Sequence, residues 1–171
     1  TLVSQIGAAI SREASFANLR DAALNDPLTG VGNRRRADAL FASLHTGDAI
    51  VTLDIDHFKD LNDRLGHGAG DSALRDFSRL LGEEIRSTDQ VARLGGDEFL
   101  VVLRGARQAE VVAACARLRA RWDGRYGVTF SAGVAWCEPN EAPEDTFAAA
   151  DDALYRAKNG GRDHMEFALS R

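Results

Sequence analysis

Gln90-Val91-Ala92-Arg93-Leu94-Gly95-Gly96-Asp97-Glu98-Phe99-Leu100-Val101-Val102-Leu103 is the stretch on which the fold turns. Two short runs rich in β-branched and large apolar residues flank the turn Gly95-Gly96-Asp97-Glu98, the pattern of an antiparallel hairpin. Parallel neighbours need a long crossover, so these two strands cannot belong to a purely parallel sheet. The sheet is mixed or antiparallel here, which excludes a purely parallel doubly wound fold and favours a ferredoxin-like core.

Upstream, Ala49-Ile50-Val51-Thr52-Leu53-Asp54-Ile55 reads as a short strand buried on both faces. A helix is expected from Asn33-Arg34-Arg35-Arg36 to about Leu44, and another through Leu65, broken around Gly66-His67-Gly68. A further helix is expected from about Gly70 to Ile85, with Leu74, Phe77, Leu80 and Leu81 inward. Downstream, the pattern predicts a helix over 107–122, a strand over Val128–Trp136 and a turn over 138–145. A helix over Thr146–Lys158, stopping at Gly160-Gly161, and a last strand over 164–169 complete it. The order αβααββαβαβ implies an α/β (α+β) sandwich with flanking helices on a mixed sheet. Ahead of it, Val3, Ile10, Ala17 and Leu24 recur every seven residues, with Leu2, Ala9, Phe16 and Ala23 beside them. Residues 1–24 thus read as a helical linker and 25–171 as one domain. The stripe fits a short coiled coil weakened by Glu13 and Arg20, or a terminal helix folded back on its own domain.

The 171 residues, 44% hydrophobic and 27% charged, suffice for a real core with a polar surface. A net charge of −5 argues against a nucleic-acid polymer as partner, because phosphate neutralisation needs a basic face. Cys115 and Cys137 lack partners at metal-site spacing and read as small buried hydrophobes, which suits a reducing cytoplasm. No apolar run is long enough to span a membrane, and the first residues do not read as a signal peptide. A chain that starts at Thr1 without Met is expected to be part of a longer one.

Asp54 stands where an apolar strand ends, either as a surface terminator or as a metal ligand. Asp97-Glu98 lies in the hairpin turn, and strand ends and hairpin tips of one sheet can converge. Carboxylates gathered there suit a hard cation such as Mg²⁺ beside phosphates, although hairpin turns often hold Gly and Asp for local reasons. Gly95 and Gly96 permit backbone angles closed to other residues and leave room for a ligand. Only two of the 21 basic residues are lysines. Lys59 follows the first strand in the expected first turn of a helix, whose free N–H groups attract phosphate. Lys158 and Arg162 flank the end of the last helix, a place cations favour in any case.

The run Arg93-Leu94-Gly95-Gly96-Asp97-Glu98-Phe99 resembles the signature of the GGDEF family, the diguanylate cyclases. Further blocks similar to the family's stand in order: Asp26-Pro27-Leu28-Thr29-Gly30-Val31-Gly32-Asn33-Arg34-Arg35, and Asp54-Ile55-Asp56-His57-Phe58-Lys59-Asp60-Leu61-Asn62-Asp63. Gly66-His67-Gly68-Ala69-Gly70-Asp71, Ser131-Ala132-Gly133-Val134 and Ala150–Lys158 follow. The resemblance covers residues 25–169 and implies a fold of the class III nucleotide cyclase type.

The resemblance also implies roles. Asp54 and Asp97 would hold Mg²⁺ (Mn²⁺ as a substitute) through their carboxylates, with the Ile55 carbonyl as a backbone ligand. Glu98 corresponds to a general base or second-metal ligand. Asn62 and Asp71 would bond the guanine edge; Lys158, Arg162 and the backbone around Phe58 and Lys59 would hold the triphosphate. Two GTP would condense into cyclic di-GMP with loss of two pyrophosphates, across a homodimer in which each domain brings one GTP. Arg86-Ser87-Thr88-Asp89 matches the family's inhibitory motif, so cyclic di-GMP would feed back through Arg86 and Asp89. The domain would be the cytoplasmic output of a signalling protein with an upstream sensor. The chain departs from the family at Gly32 and at Asp163, where Asn is usual. Alternatives are a degenerate domain that only binds nucleotide, a cyclase for another cyclic dinucleotide, and a dimerisation module without chemistry.

Overall fold

The computed structural model describes residues 23–169. Within them run α1 (Arg34–Phe41), β1 (Ala49–Ile55), α2 (Phe58–Leu65), α3 (His67–Glu84), β2 (Gln90–Gly95) and β3 (Glu98–Leu103). Then come α4 (Gln108–Trp122), β4 (Phe130–Trp136), α5 (Pro143–Asn159) and β5 (Met165–Phe167). The element order is the one the sequence predicts. The expected leading helix lies outside the described residues except for its end.

The sheet runs β2-β3-β1-β4-β5, with β1 antiparallel to both neighbours and β5 parallel to β4. β1 is central and buried along its whole length, which its apolar run required. Its odd and even residues feed two cores. Val51, Leu53 and Ile55 meet Phe77, Phe99, Trp122 and Phe130 under α3 and α4, whereas Ile50 joins Leu100, Val102, Ala135 and Ala150 on the other face. Phe77 anchors the first core, its ring 5.3 Å from Phe99, 5.0 Å from Trp122 and 5.3 Å from Phe130. The second core brings α5 unusually close to β4. A Cβ on Gly133 would lie 2.1 Å from the Ala150 carbonyl and 2.2 Å from the Leu154 nitrogen, so only glycine fits. This contact sets the path along which α5 delivers its C-terminal end to the site.

Boundaries differ from expectation where local chemistry outweighs periodicity. α1 stops at Phe41, and Ser43 and Leu44 close tighter turns onto Leu40 and Phe41. α3 starts at His67, because Gly66 alone makes the bend (φ 82°, ψ 160°) and the later glycines are carried within the helix. α5 begins at Pro143, inside the expected turn, since a first-turn proline forfeits no helical hydrogen bond. β4 starts at Phe130. Both cysteines are buried and unbridged, and burial pushes the Cys115 thiol up to about 11. Among the described residues no helix is long and apolar enough to cross a membrane.

Candidate active site

Antiparallel pairing places the end of β1 and the starts of β3 and β4 at one edge of the sheet. Asp54 is opposite Glu98, and Ile55 is opposite Phe130. The hairpin tip Gly96-Asp97 arrives there too, and the Ile55 amide donates to the Asp97 carbonyl at 3.4 Å. A cleft of about 340 Å³ opens at this edge, lined by Asp54, Ile55, Asp56, His57, Phe58, Lys59, Asp97, Lys158 and Arg162. β1, the hairpin, the start of α2 and the end of α5 therefore each supply part of one wall. The first amides of α2 have no intrahelical acceptor and form an anion-binding end.

Asp54 is only 7% exposed. Lys158 Nζ lies 2.7 Å from Asp54 Oδ2. Burial nevertheless pushes the Asp54 carboxyl up to about 6; the charges of Asp97 and Glu98 add to the rise, and the Lys158 hydrogen bond and charge offset part of it. Asp97 is also raised above the usual carboxylate range, first by burial and further by the charge of Asp56, against the pull of Lys158 and Arg93.

The hairpin tip is held from below. Arg93 donates to the Gly96 carbonyl through Nε at 3.0 Å and Nη2 at 2.7 Å. Its Nη1 reaches Asp26 Oδ1 at 3.1 Å. Asp26 in turn accepts from the Thr29 amide and hydroxyl at 2.9 and 2.6 Å. The signature turn and the Asp26–Thr29 segment are thus one hydrogen-bonded unit.

No group of three or more His, Cys, Asp or Glu side chains among the described residues is arranged to hold a metal. The candidate donors are two carboxylates, Asp54 and Asp97, with backbone oxygen beside them. Two partly desolvated carboxylates that resist ionisation in each other's presence suit a hard divalent cation, which prefers oxygen and keeps much of its water. The residues fit such a group, and Lys158 currently neutralises the same charge.

Seven of the residues expected at the reaction centre line this cleft: Asp54, Ile55, Phe58, Lys59, Asp97, Lys158 and Arg162. Glu98 is exposed beside it and does not line it. Asn62 and Asp71 also stand outside, at the joint of α2 and α3. The Asn62 amide packs so tightly on Gly70 that a Cβ there would lie 2.0 Å from Oδ1 and 3.2 Å from the Phe58 ring. Arg86 and Asp89 line a separate cavity of about 390 Å³ with Glu84, Glu110 and Arg117. Arg86 reaches Glu110 Oε1 at 2.6 Å. The Asp89 carboxylate accepts from the amides of Arg86 and Arg104 at 2.9 and 3.0 Å, so it shapes the cavity rather than standing free in it.

Sequence reasoning gave no role to Asp56. It is 1% exposed and accepts hydrogen bonds from Thr129, Ser131 and the Asp163 amide. The signal was the hydroxyl pair Thr129 and Ser131 at strand alternation beside an apolar run, which calls for a buried polar partner. Arg93 stands out in the sequence only as part of the signature.

Comparison with known proteins identifies the family and the fold. The family model described as "Diguanylate cyclase, GGDEF domain" matches residues 23–164. Diguanylate cyclase DgcP of Pseudomonas aeruginosa is 42% identical over 164 residues, covering 87% of this chain and 24% of that protein. Diguanylate cyclase DgcS of Shewanella oneidensis is 36% identical over 152 residues, covering 82% of this chain and 51% of that protein. The chain therefore spans about a quarter to a half of the length of these curated relatives. Among solved structures, the coiled coil and GGDEF domain of DgcB from Caulobacter crescentus in complex with c-di-GMP superposes with a TM-score of 0.89 at 28% identity, covering 98% of this chain and 97% of that one.

Proposed function

Because the chain belongs to the GGDEF family of diguanylate cyclase domains, we propose that it condenses two GTP into cyclic di-GMP. The observation that carries the reading is the cleft itself. Two partly desolvated carboxylates face an amine, a guanidinium and a helix N-terminus, a set whose chemistry suits a metal-bound triphosphate.

Lys158, Arg162 and the first amides of α2 bind the triphosphate and orient its α-phosphate. Asp54 and Asp97 would hold the divalent cation, Mg²⁺ or Mn²⁺, which supplies charge neutralisation to the phosphates and acidifies the attacking hydroxyl. The 3′-hydroxyl oxygen of one GTP forms a bond to the α-phosphorus of the other, and the bond to pyrophosphate breaks. Glu98, exposed at the rim, accepts the hydroxyl proton. A second attack of the same kind, with the roles of the two nucleotides exchanged, closes the ring and releases the second pyrophosphate. Since one cleft holds one GTP, two domains must face each other, and proximity becomes a property of the dimer. Asn62 and Asp71 at the α2–α3 joint read the guanine edge.

The cavity beside Arg86 takes the product and gives feedback inhibition; the c-di-GMP complex of the DgcB structure supports a product site on this fold. We place the domain at the output end of a longer cytoplasmic signalling protein, joined to a sensor through residues 1–24. Incubation of the purified protein with GTP and Mg²⁺, followed by nucleotide chromatography, tests the reading. Cyclic di-GMP and pyrophosphate are the expected products, and ATP should give none. A protein that binds GTP but never converts it would reduce the domain to a nucleotide receptor.

A further inference from the structure

The turn that carries Arg162 is held in an unfavourable shape. Gly161, Arg162 and Asp163 all have positive φ (115°, 61° and 52°), and two of them are not glycine. Such residues persist only where their surroundings over-determine them, and they gather at sites that need a fixed geometry. Here the Arg162 amide donates to the Ala157 carbonyl at 3.0 Å. The Asp163 amide donates to Asp56 Oδ2 at 3.1 Å. Arg119 of α4 holds the Asp163 carbonyl and carboxylate from the outer side.

Asp56 lies two residues beyond Asp54, yet its environment is different. Oδ1 accepts from Ser131 Oγ at 2.8 Å, and Oδ2 accepts from Thr129 Oγ1 at 2.6 Å as well as from the Asp163 amide. Its own amide donates to the Thr129 carbonyl at 2.9 Å. No cation pairs with it among the described residues. A buried carboxylate is costly unless its oxygens are satisfied, and the three donors to this one are Thr129 just before β4, Ser131 within β4 and the Asp163 amide of the Arg162 turn. Asp56 is thus spent on joining three pieces of chain: the end of β1, the start of β4 and the α5–β5 turn.

We propose that Asp56 is a positioning residue, which fixes the left-handed Gly161–Asp163 turn and thereby holds the Arg162 guanidinium at the phosphate end of the cleft. This rests on the cleft binding a nucleoside triphosphate. It also accounts for position 163, where Asp departs from the family's Asn: both tolerate left-handed backbone, and Asp adds the ion pair to Arg119.

Two measurements on the whole chain test it. The first is amide exchange at Asp163, read by nuclear magnetic resonance without nucleotide. Asp56→Ala should speed exchange there at least about tenfold while central β1 amides stay protected, since local opening is read amide by amide. Asp56→Asn, which can still accept from that amide while its own NH₂ donates to Ser131, should stay close to wild type. Should Asp56→Ala not fold, Asp56→Ser serves, because its hydroxyl is one bond shorter and stops short of the turn. The second is a double-mutant cycle for binding the α,β-methylene analogue of GTP. Asp56→Ala should weaken binding roughly tenfold alone and less than about twofold in an Arg162→Ala background, the non-additivity of residues that act through one another. Unchanged exchange at Asp163, or additive losses, would overturn the proposal. If wild type does not bind the analogue, the nucleotide reading fails, and the exchange measurement still decides whether Asp56 holds the turn.

Discussion

Replacing Asp54 by Asn should make the metal-free protein more stable at neutral and alkaline pH while ending its chemistry. The carboxyl has an ordinary value of 3.8 and is pushed up to about 6 by burial. At roughly 1.4 kcal/mol per unit, ionised Asp54 costs the folded state about 3 kcal/mol. The sign follows from proton binding. The folded protein holds this proton more tightly than the unfolded chain, so stability is lost as pH rises from 3.8 to about 6, and the full penalty stands above that window. The attraction of Lys158, whose side chain is 31% exposed, is already contained in that value of about 6, so Asn removes the whole net penalty. The expected gain is about 3 kcal/mol near pH 8, vanishing near pH 4. Urea unfolding in the presence of a chelator, followed by fluorescence of the buried Trp122, measures it for both proteins. Added Mg²⁺ should reverse the order, because only the wild type gains the binding free energy. A variant that is less stable than wild type at every pH, or a difference that does not change with pH, would refute the reasoning.

Arg93→Lys should lower turnover by roughly ten- to a hundredfold, because an ammonium cannot reproduce the fork that grips the Gly96 carbonyl and Asp26 together; steady-state kinetics at saturating GTP reads it, and undiminished turnover rejects the clamp. Arg86→Ala should keep turnover while weakening cyclic di-GMP binding at least about tenfold, and unchanged affinity by calorimetry would dismiss that cavity as the product site. Activity per domain should rise with protein concentration as dimers form. Ile10→Asp, in the heptad stripe of the linker, should shift that curve to higher concentration, and a flat curve from a monomeric protein would remove the dimer requirement.

What the sequence disclosed and what it withheld separate along a physical line. The β2–β3 hairpin, the buried β1 and the helix–strand order were legible, because each depends on periodicity within one short segment. The convergence of Asp54, Asp97, Lys59, Lys158 and Arg162 followed once the resemblance had set those segments in one fold. Withheld were the contacts made by residues far apart in the chain. Asp26 and Arg93 are 67 positions apart, Asp56 and Ser131 are 75 apart, and Asp56 and Asp163 are 107 apart. Asp54 and Asp56 make the point most sharply. They flank one isoleucine at the end of one strand, and nothing local tells which is suited to a cation and which to structural hydrogen bonds. Their partners decide it. Asp56 is satisfied by the neutral donors of Thr129, Ser131 and the α5–β5 turn, so its oxygens are committed, whereas Asp54 meets one lysine and the repelling charges of Asp97 and Glu98, an environment that suits a cation's ligand. A local pattern assigns a segment its class of chemistry; the role of each residue within it is set by what the rest of the chain brings alongside.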